Sequence, residues 1–102
     1  MSNIGKILKQ AQRMQAEMAR VQEELGTLEK SFTAGGVVEA VARGDHSLVR
    51  IRIKPEAVDP KDVEGLEDLV LTAVNGALTA VREEAEARVK QVTGGLNIPG
   101  LV

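Results

Sequence analysis

Steps of three and four residues, taken alternately from Ile4, land on Ile7, Ala11, Met14, Met18, Val21, Leu25 and Leu28, and every stop is apolar. This is a heptad seam sustained for more than three repeats. No proline interrupts it, and its only glycines, Gly5 and Gly26, lie near its two ends. The pattern predicts one helix over residues 4–28, roughly 40 Å long at about 1.5 Å per residue. Ser2 or Asn3 is placed to accept from the unpaired amides of its first turn. A helix with one apolar stripe needs a partner for it, so the rest of the chain or a second copy must supply one.

From residue 31 to 54 the period falls to two. Gly35 and Gly36 interrupt the first part and suit a bulge or a tight bend. Residues 37–43 then read as a strand, Gly44 and Asp45 as a turn, and residues 48–54 as the return strand of a hairpin. In that strand Val49, Ile51 and Ile53 alternate with Arg50, Arg52 and Lys54, which predicts a half-buried strand with a basic outer ladder. Pro55 ends it. Asp59 before Pro60 reads as an N-cap followed by proline at the first helical position, with Asp62 at the third. The set Leu66, Leu69, Val70, Ala73, Val74, Ala77, Leu78, Val81, Ala85, Val89 and Val92 carries a second helix to about residue 92. Gly65 is placed to kink that helix or to break it from the acidic turn before it, and Thr93, Gly94 and Gly95 end it.

The expected fold class is therefore α+β. A long N-terminal helix leads to a small antiparallel sheet, a hairpin with the option of a short first strand, and then to a long C-terminal helix. All of it fits one domain, residues 1–102, divided into a helical arm (1–30), a sheet (31–54), a helix (59–93) and a tail (94–102).

Composition sharpens this picture. Apolar residues make up 43 % of the chain, yet there is one Phe and no Trp or Tyr, and Ala and Val dominate. Small side chains suit thin, helix-on-helix packing, and a core this modest makes a homodimer the expectation. The absence of cysteine excludes disulfides, thiolate metal sites and thiol catalysis together. No apolar run approaches the length of a membrane span and no secretory leader is present, so a soluble cytoplasmic protein with no membrane partner is expected.

The net charge of −2 hides a polarised distribution. Residues 1–20 hold Lys6, Lys9, Arg13 and Arg20 against Glu17 alone, whereas residues 55–68 hold six acids against Lys61. With Ile4 at heptad position a, Lys6, Arg13 and Arg20 all fall at position c and Lys9 at f, a basic stripe on the side away from the seam. Such a stripe is most often just a solvated face. Three features raise it to a candidate nucleic-acid surface: one shared heptad position, no acid among the first three cations, and doubling in a dimer. Arg50, Arg52 and Lys54 are secondary candidates. With Phe32 as the only aromatic there is no platform for stacking bases, which favours duplex DNA over single strands.

Other constellations reduce to ordinary structure. Asp45, His46 and Ser47 are the residue types of a hydrolytic triad, but three consecutive residues on a turn cannot converge on a substrate. Glu64 and Asp68 share a helix face but lack the loop spacing of a calcium site. Neither glycine pair is followed by the Lys and Ser/Thr of a phosphate-binding loop. No catalytic residue, metal, cofactor or small-molecule substrate is expected.

Several segments, in order and at their separations, carry a family resemblance. They are Lys9-Gln10-Ala11-Gln12-Arg13-Met14-Gln15, Val21-Gln22-Glu23-Glu24-Leu25, Ala34-Gly35-Gly36, Asp59-Pro60, Leu66-Glu67-Asp68-Leu69, Ala73-Val74-Asn75, Gly94-Gly95-Leu96 and Pro99-Gly100. Over essentially its whole length the chain resembles the YbaB/EbfC family of bacterial nucleoid-associated proteins. The resemblance implies an α-β-α homodimer with a shared sheet core and helices that protrude like the arms of tweezers. It implies binding of double-stranded DNA with little or modest sequence preference, in the cytoplasm on the bacterial nucleoid, and no enzymatic activity. Gly65, Gly76 and the hairpin segment 42–47 depart from the family pattern and bear on local helix stability. The same outline of two long helices around a hairpin also fits a prefoldin-like chaperone or interaction module, and RNA is the alternative nucleic acid.

Overall fold

The computed structural model describes residues 2–94. In chain order it contains α1 (Ser2–Leu25), β1 (Glu29–Ala34), β2 (Val38–Arg43), β3 (Leu48–Ile53) and α2 (Val63–Thr93), with one 3-10 turn at Pro55–Ala57 before α2. The strands form one antiparallel sheet in the order β1-β2-β3. The α+β class is the one the periodicities predict, with a difference at the first junction. α1 stops at Leu25, because Gly26 and Thr27 turn back onto the Glu23 and Glu24 carbonyls at 3.2 and 3.1 Å. Glu29 and Lys30, expected at the end of the helical arm, instead pair with Arg43 and Ala42. The first strand is thus a full six residues, and Leu28 leaves the seam.

Gly35 and Gly36 take φ of +57° and +72°. Two successive left-handed residues make the tight two-residue hairpin turn whose twist matches the flanking strands, and Val37 N–H closes it on the Ala34 carbonyl at 3.1 Å. The second hairpin turns over residues 43–47, with the positive φ at His46 rather than at Gly44. Arg43 N–H bonds the Ser47 carbonyl at 2.8 Å. Gly44 serves a different need: a Cβ there would overlap the Leu25 carbonyl at the end of α1. A bulge at Val41/Ala42 brings Leu48, not Val49, opposite Ala42.

The core is a stack of small side chains. Ala34, Val38, Ala40 and Ala42 from the sheet meet Ala73, Ala77 and Val81 from α2, with Leu66, Leu69, Val70, Val74 and Leu78 packed around them. Alanine on both surfaces lets the helix settle close to β1 and β2. Gly76 extends this closeness, because the Phe32 ring lies where its Cβ would be. β3 lies beyond the helix. Ile51 and Ile53 pair with Ala40 and Val38 and so point to the same side as the core, but each remains 41 % exposed. The alternation predicted for this strand is present; the predicted burial is not, because α2 covers only the other two strands.

α2 begins three residues later than Asp59-Pro60 suggested. Asp62 is the N-cap and accepts from Gly65 N–H at 3.0 Å, while the Asp59 carboxylate accepts from Lys61 N–H at 2.9 Å in the preceding turn. Gly65 sits in the first turn and introduces no break, and α2 continues unbroken to Thr93. The proposed tail, apart from Gly94, lies outside the described residues.

α1 runs antiparallel to the C-terminal half of α2, joined there by Val21 and Leu25, both buried. The molecule is 74 Å long, against roughly 46 Å for α2 at about 1.5 Å per residue. The difference is the N-terminal half of α1, which projects past the end of α2. Along it the seam is bare: Ile4, Ile7 and Leu8 are 64 %, 61 % and 57 % exposed.

Candidate nucleic-acid interface

The projecting half of α1 carries Lys6, Lys9 and Arg13, spaced three and four residues apart and therefore on one side of the helix. All three are exposed, and among the described residues none pairs with a carboxylate. Arg20, the fourth cation of the stripe, differs. It lies 3.9 Å from Glu24, one turn further on, and belongs to the junction where α1 meets α2.

Arg50 and Arg52 lie opposite Val41 and Glu39 and so project from the sheet face away from α2. Lys54 follows directly, its backbone N–H held by the Val37 carbonyl at 2.8 Å. All three are exposed, with no ion pair among the described residues. The seven cations singled out from the sequence therefore form two separate groups, one on the arm and one on the edge strand.

The other ion pairs lie at the helix junction and in the sheet. Arg88 reaches Glu24 at 3.4 Å and Glu84 at 3.0 Å, and Lys30 reaches Glu84 at 3.4 Å. Arg20, Glu24, Arg88, Glu84 and Lys30 thus form a chain of alternating charge along a cleft of about 590 Å³ between the helices. The Arg88 hydrogen bond, seconded by Lys30, lowers the Glu84 carboxyl below its usual range. Arg43 pairs with Glu29 across β1 and β2. No sequence signal marks the Arg88–Glu24 contact, since its partners lie 64 residues apart.

The acidic stretch contributes no described ion pair to the arm. Among the described residues no group of three or more His, Asp or Glu side chains could hold a metal ion, and no helix is long and apolar enough to cross a membrane. In the 43–47 turn, Ser47 donates through both N–H and Oγ to the Asp45 carboxylate. Those bonds lower the Asp45 pKa and hold the turn, and His46 stands exposed between them.

A three-stranded sheet backed by one long helix, with a second helix projecting a row of unpaired cations, defines a small α+β protein with a basic arm. The chain belongs to the YbaB/EbfC DNA-binding family, whose pattern matches residues 1–96. It is 54 % identical over 100 residues to a "Nucleoid-associated protein" of Desulforamulus reducens, covering 97 % of this chain and 95 % of that one. It is 50 % identical over 100 residues to a protein of the same name from Clostridium kluyveri, covering 97 % and 88 %. Among solved structures, the uncharacterized protein HP0035 from Helicobacter pylori shares the fold, with a TM-score of 0.69 at 22 % identity over 92 % of this chain and 97 % of that one.

Proposed function

We propose that this protein is a non-enzymatic, nucleoid-associated DNA-binding protein of the bacterial cytoplasm. It acts as a homodimer and holds duplex DNA mainly through phosphate contacts, with little or modest sequence preference. Lys6, Lys9 and Arg13 are the principal contacts; Arg20, Arg50, Arg52 and Lys54 contribute around them. The observation that carries this reading is the division among the cations: those on the projecting arm are unpaired among the described residues, while Arg20, Arg43 and Arg88 are engaged in ion pairs. An unpaired cation keeps its full charge for phosphate and releases the counterions that drive association.

The edge strand β3 supports the homodimer. Its outer backbone edge is unpaired, and beside it Ile51, Ile53 and Leu71 of α2 are exposed. The β1 edge is protected, because Lys30 is tied across it to Glu84. Antiparallel pairing of β3 with β3 of a second copy continues the sheet through both subunits, covers the isoleucines and carries an arm out on each side.

Fluorescence anisotropy on a labelled duplex over a salt series tests the proposal. Engagement of six to eight phosphates per dimer gives a slope of roughly −5 to −7 in log affinity against log salt. A slope near zero overturns it. One observation favours a second reading, a chaperone-like module: the bare apolar stripe at Ile4, Ile7 and Leu8. Protection of an unfolded client from aggregation, with no shift of duplex DNA, would select that reading, and competition between DNA and RNA identifies the nucleic acid.

A further inference from the structure

The seam of α1 has two halves with different surroundings. Near α2, Val21 and Leu25 are buried and Met14 and Met18 half-buried; beyond the end of α2, Ile4, Ile7, Leu8 and Ala11 are exposed. A contiguous apolar stripe of this kind marks a surface with an occupant. We infer that the occupant is the chain's own C-terminal segment, residues 95–102, which continues from α2 along the projecting half of α1 and covers the stripe.

The position where α2 stops carries the argument. Gln91 and Val92 line the same cleft as Glu17 and Val21, so the last turn of α2 lies beside the middle of α1 and points toward its N-terminus. From the level of Glu17 to Ile4 is roughly 20 Å at about 1.5 Å per residue. The eight residues that follow Gly94 reach roughly 26 Å when extended, at about 3.3 Å each. Their chemistry fits the stripe: Leu96, Ile98, Leu101 and Val102 are apolar, and no side chain in the segment is charged. A second copy of α1 is the competing occupant, but it brings a second set of Lys6, Lys9 and Arg13 close to the first, and like charges oppose that approach. The C-terminal segment adds no such repulsion. It also leaves the basic side of the arm open, since cations and stripe lie on opposite sides of the helix.

The chain has no cysteine of its own, so introduced pairs report proximity directly. In the full chain, Ile7→Cys with Ile98→Cys is compared under mild oxidation with the distant pair Glu56→Cys and Ile98→Cys. The inference expects an intrachain disulfide, seen as a faster-running band of single-chain mass, forming about tenfold faster than in the control because docking raises the local concentration. Formation at the control rate, or only a product of twice the chain mass, overturns it; the second result assigns the stripe to another copy. Hydrogen exchange supplies a readout without cysteines. Ile98→Asp with Leu101→Asp should speed amide exchange over residues 4–14 by about tenfold as the covered helix is released, and unchanged protection overturns the inference. Neither measurement involves DNA, so its failure leaves the proposed function to its own test.

Discussion

The ring of Phe32, on β1, rests against the backbone of Gly76, in the middle of α2. Glycine inside a helix ordinarily costs about 1 kcal/mol relative to alanine. Here its missing side chain is the space that the ring fills, and the alanine-lined core on either side depends on the same close approach.

Gly76→Ala should therefore destabilise the protein despite the better helix former, by about 1–2 kcal/mol, because the added methyl displaces the ring. Chemical denaturation measures the loss. Combined with Phe32→Ala, the same substitution should cost less than the sum of the two singles, since the clash is gone. Additive losses would show that the ring and the glycine act independently.

The Glu84 carboxyl is stabilised in its ionised form by Arg88 first and Lys30 second, so its folded pKa lies below the usual 4.5. A depressed carboxyl contributes stability that is fully present above its unfolded pKa and is lost as pH falls through the folded value. Stability measured from neutral pH downward should begin to decline near pH 4.5, and Glu84→Gln should flatten that decline while lowering stability at pH 7. Asp45→Asn should act in the same direction from about pH 4, through loss of the Ser47 hydrogen bonds. Thermal melts across the range read both effects.

Ile51→Asp with Ile53→Asp places charge on the exposed apolar face of β3. The dimer proposed here should dissociate, read as a halved mass by light scattering after size exclusion. The monomer should keep its helical circular dichroism, because neither isoleucine belongs to the buried core beneath α2.

Lys6→Glu, Lys9→Glu and Arg13→Glu together should abolish duplex binding at moderate salt and leave thermal stability nearly unchanged, since none of the three makes a described ion pair. Arg88→Glu should show the opposite pattern, a clear loss of stability with a smaller effect on binding. Single reversals on the arm should each weaken binding at all sequences alike and reduce the salt slope by about one. Equal losses of binding from arm and junction variants would count against the arm as the contact surface.

The local patterns determined what depends on neighbours in the chain. A seam repeating every three and four residues made α1 helical, an alternation of two made β2 and β3 strands, and Gly35-Gly36 supplied the left-handed residues that a two-residue turn requires. The basic side of the arm was legible for the same reason, since heptad spacing alone puts Lys6, Lys9 and Arg13 on one side of a helix. Tertiary structure decided what depends on distant segments. Glu29 and Lys30 leave the helix because Arg43 and Ala42 offer them a ladder, and Arg20 is set apart from the other three cations by its place beside Arg88. Ile51 and Ile53 stay exposed, although their alternation is that of a buried strand, because α2 is wide enough to cover two strands and not three. Periodicity tells which side of an element is apolar; whether that side is covered depends on the reach of an element encoded elsewhere in the chain.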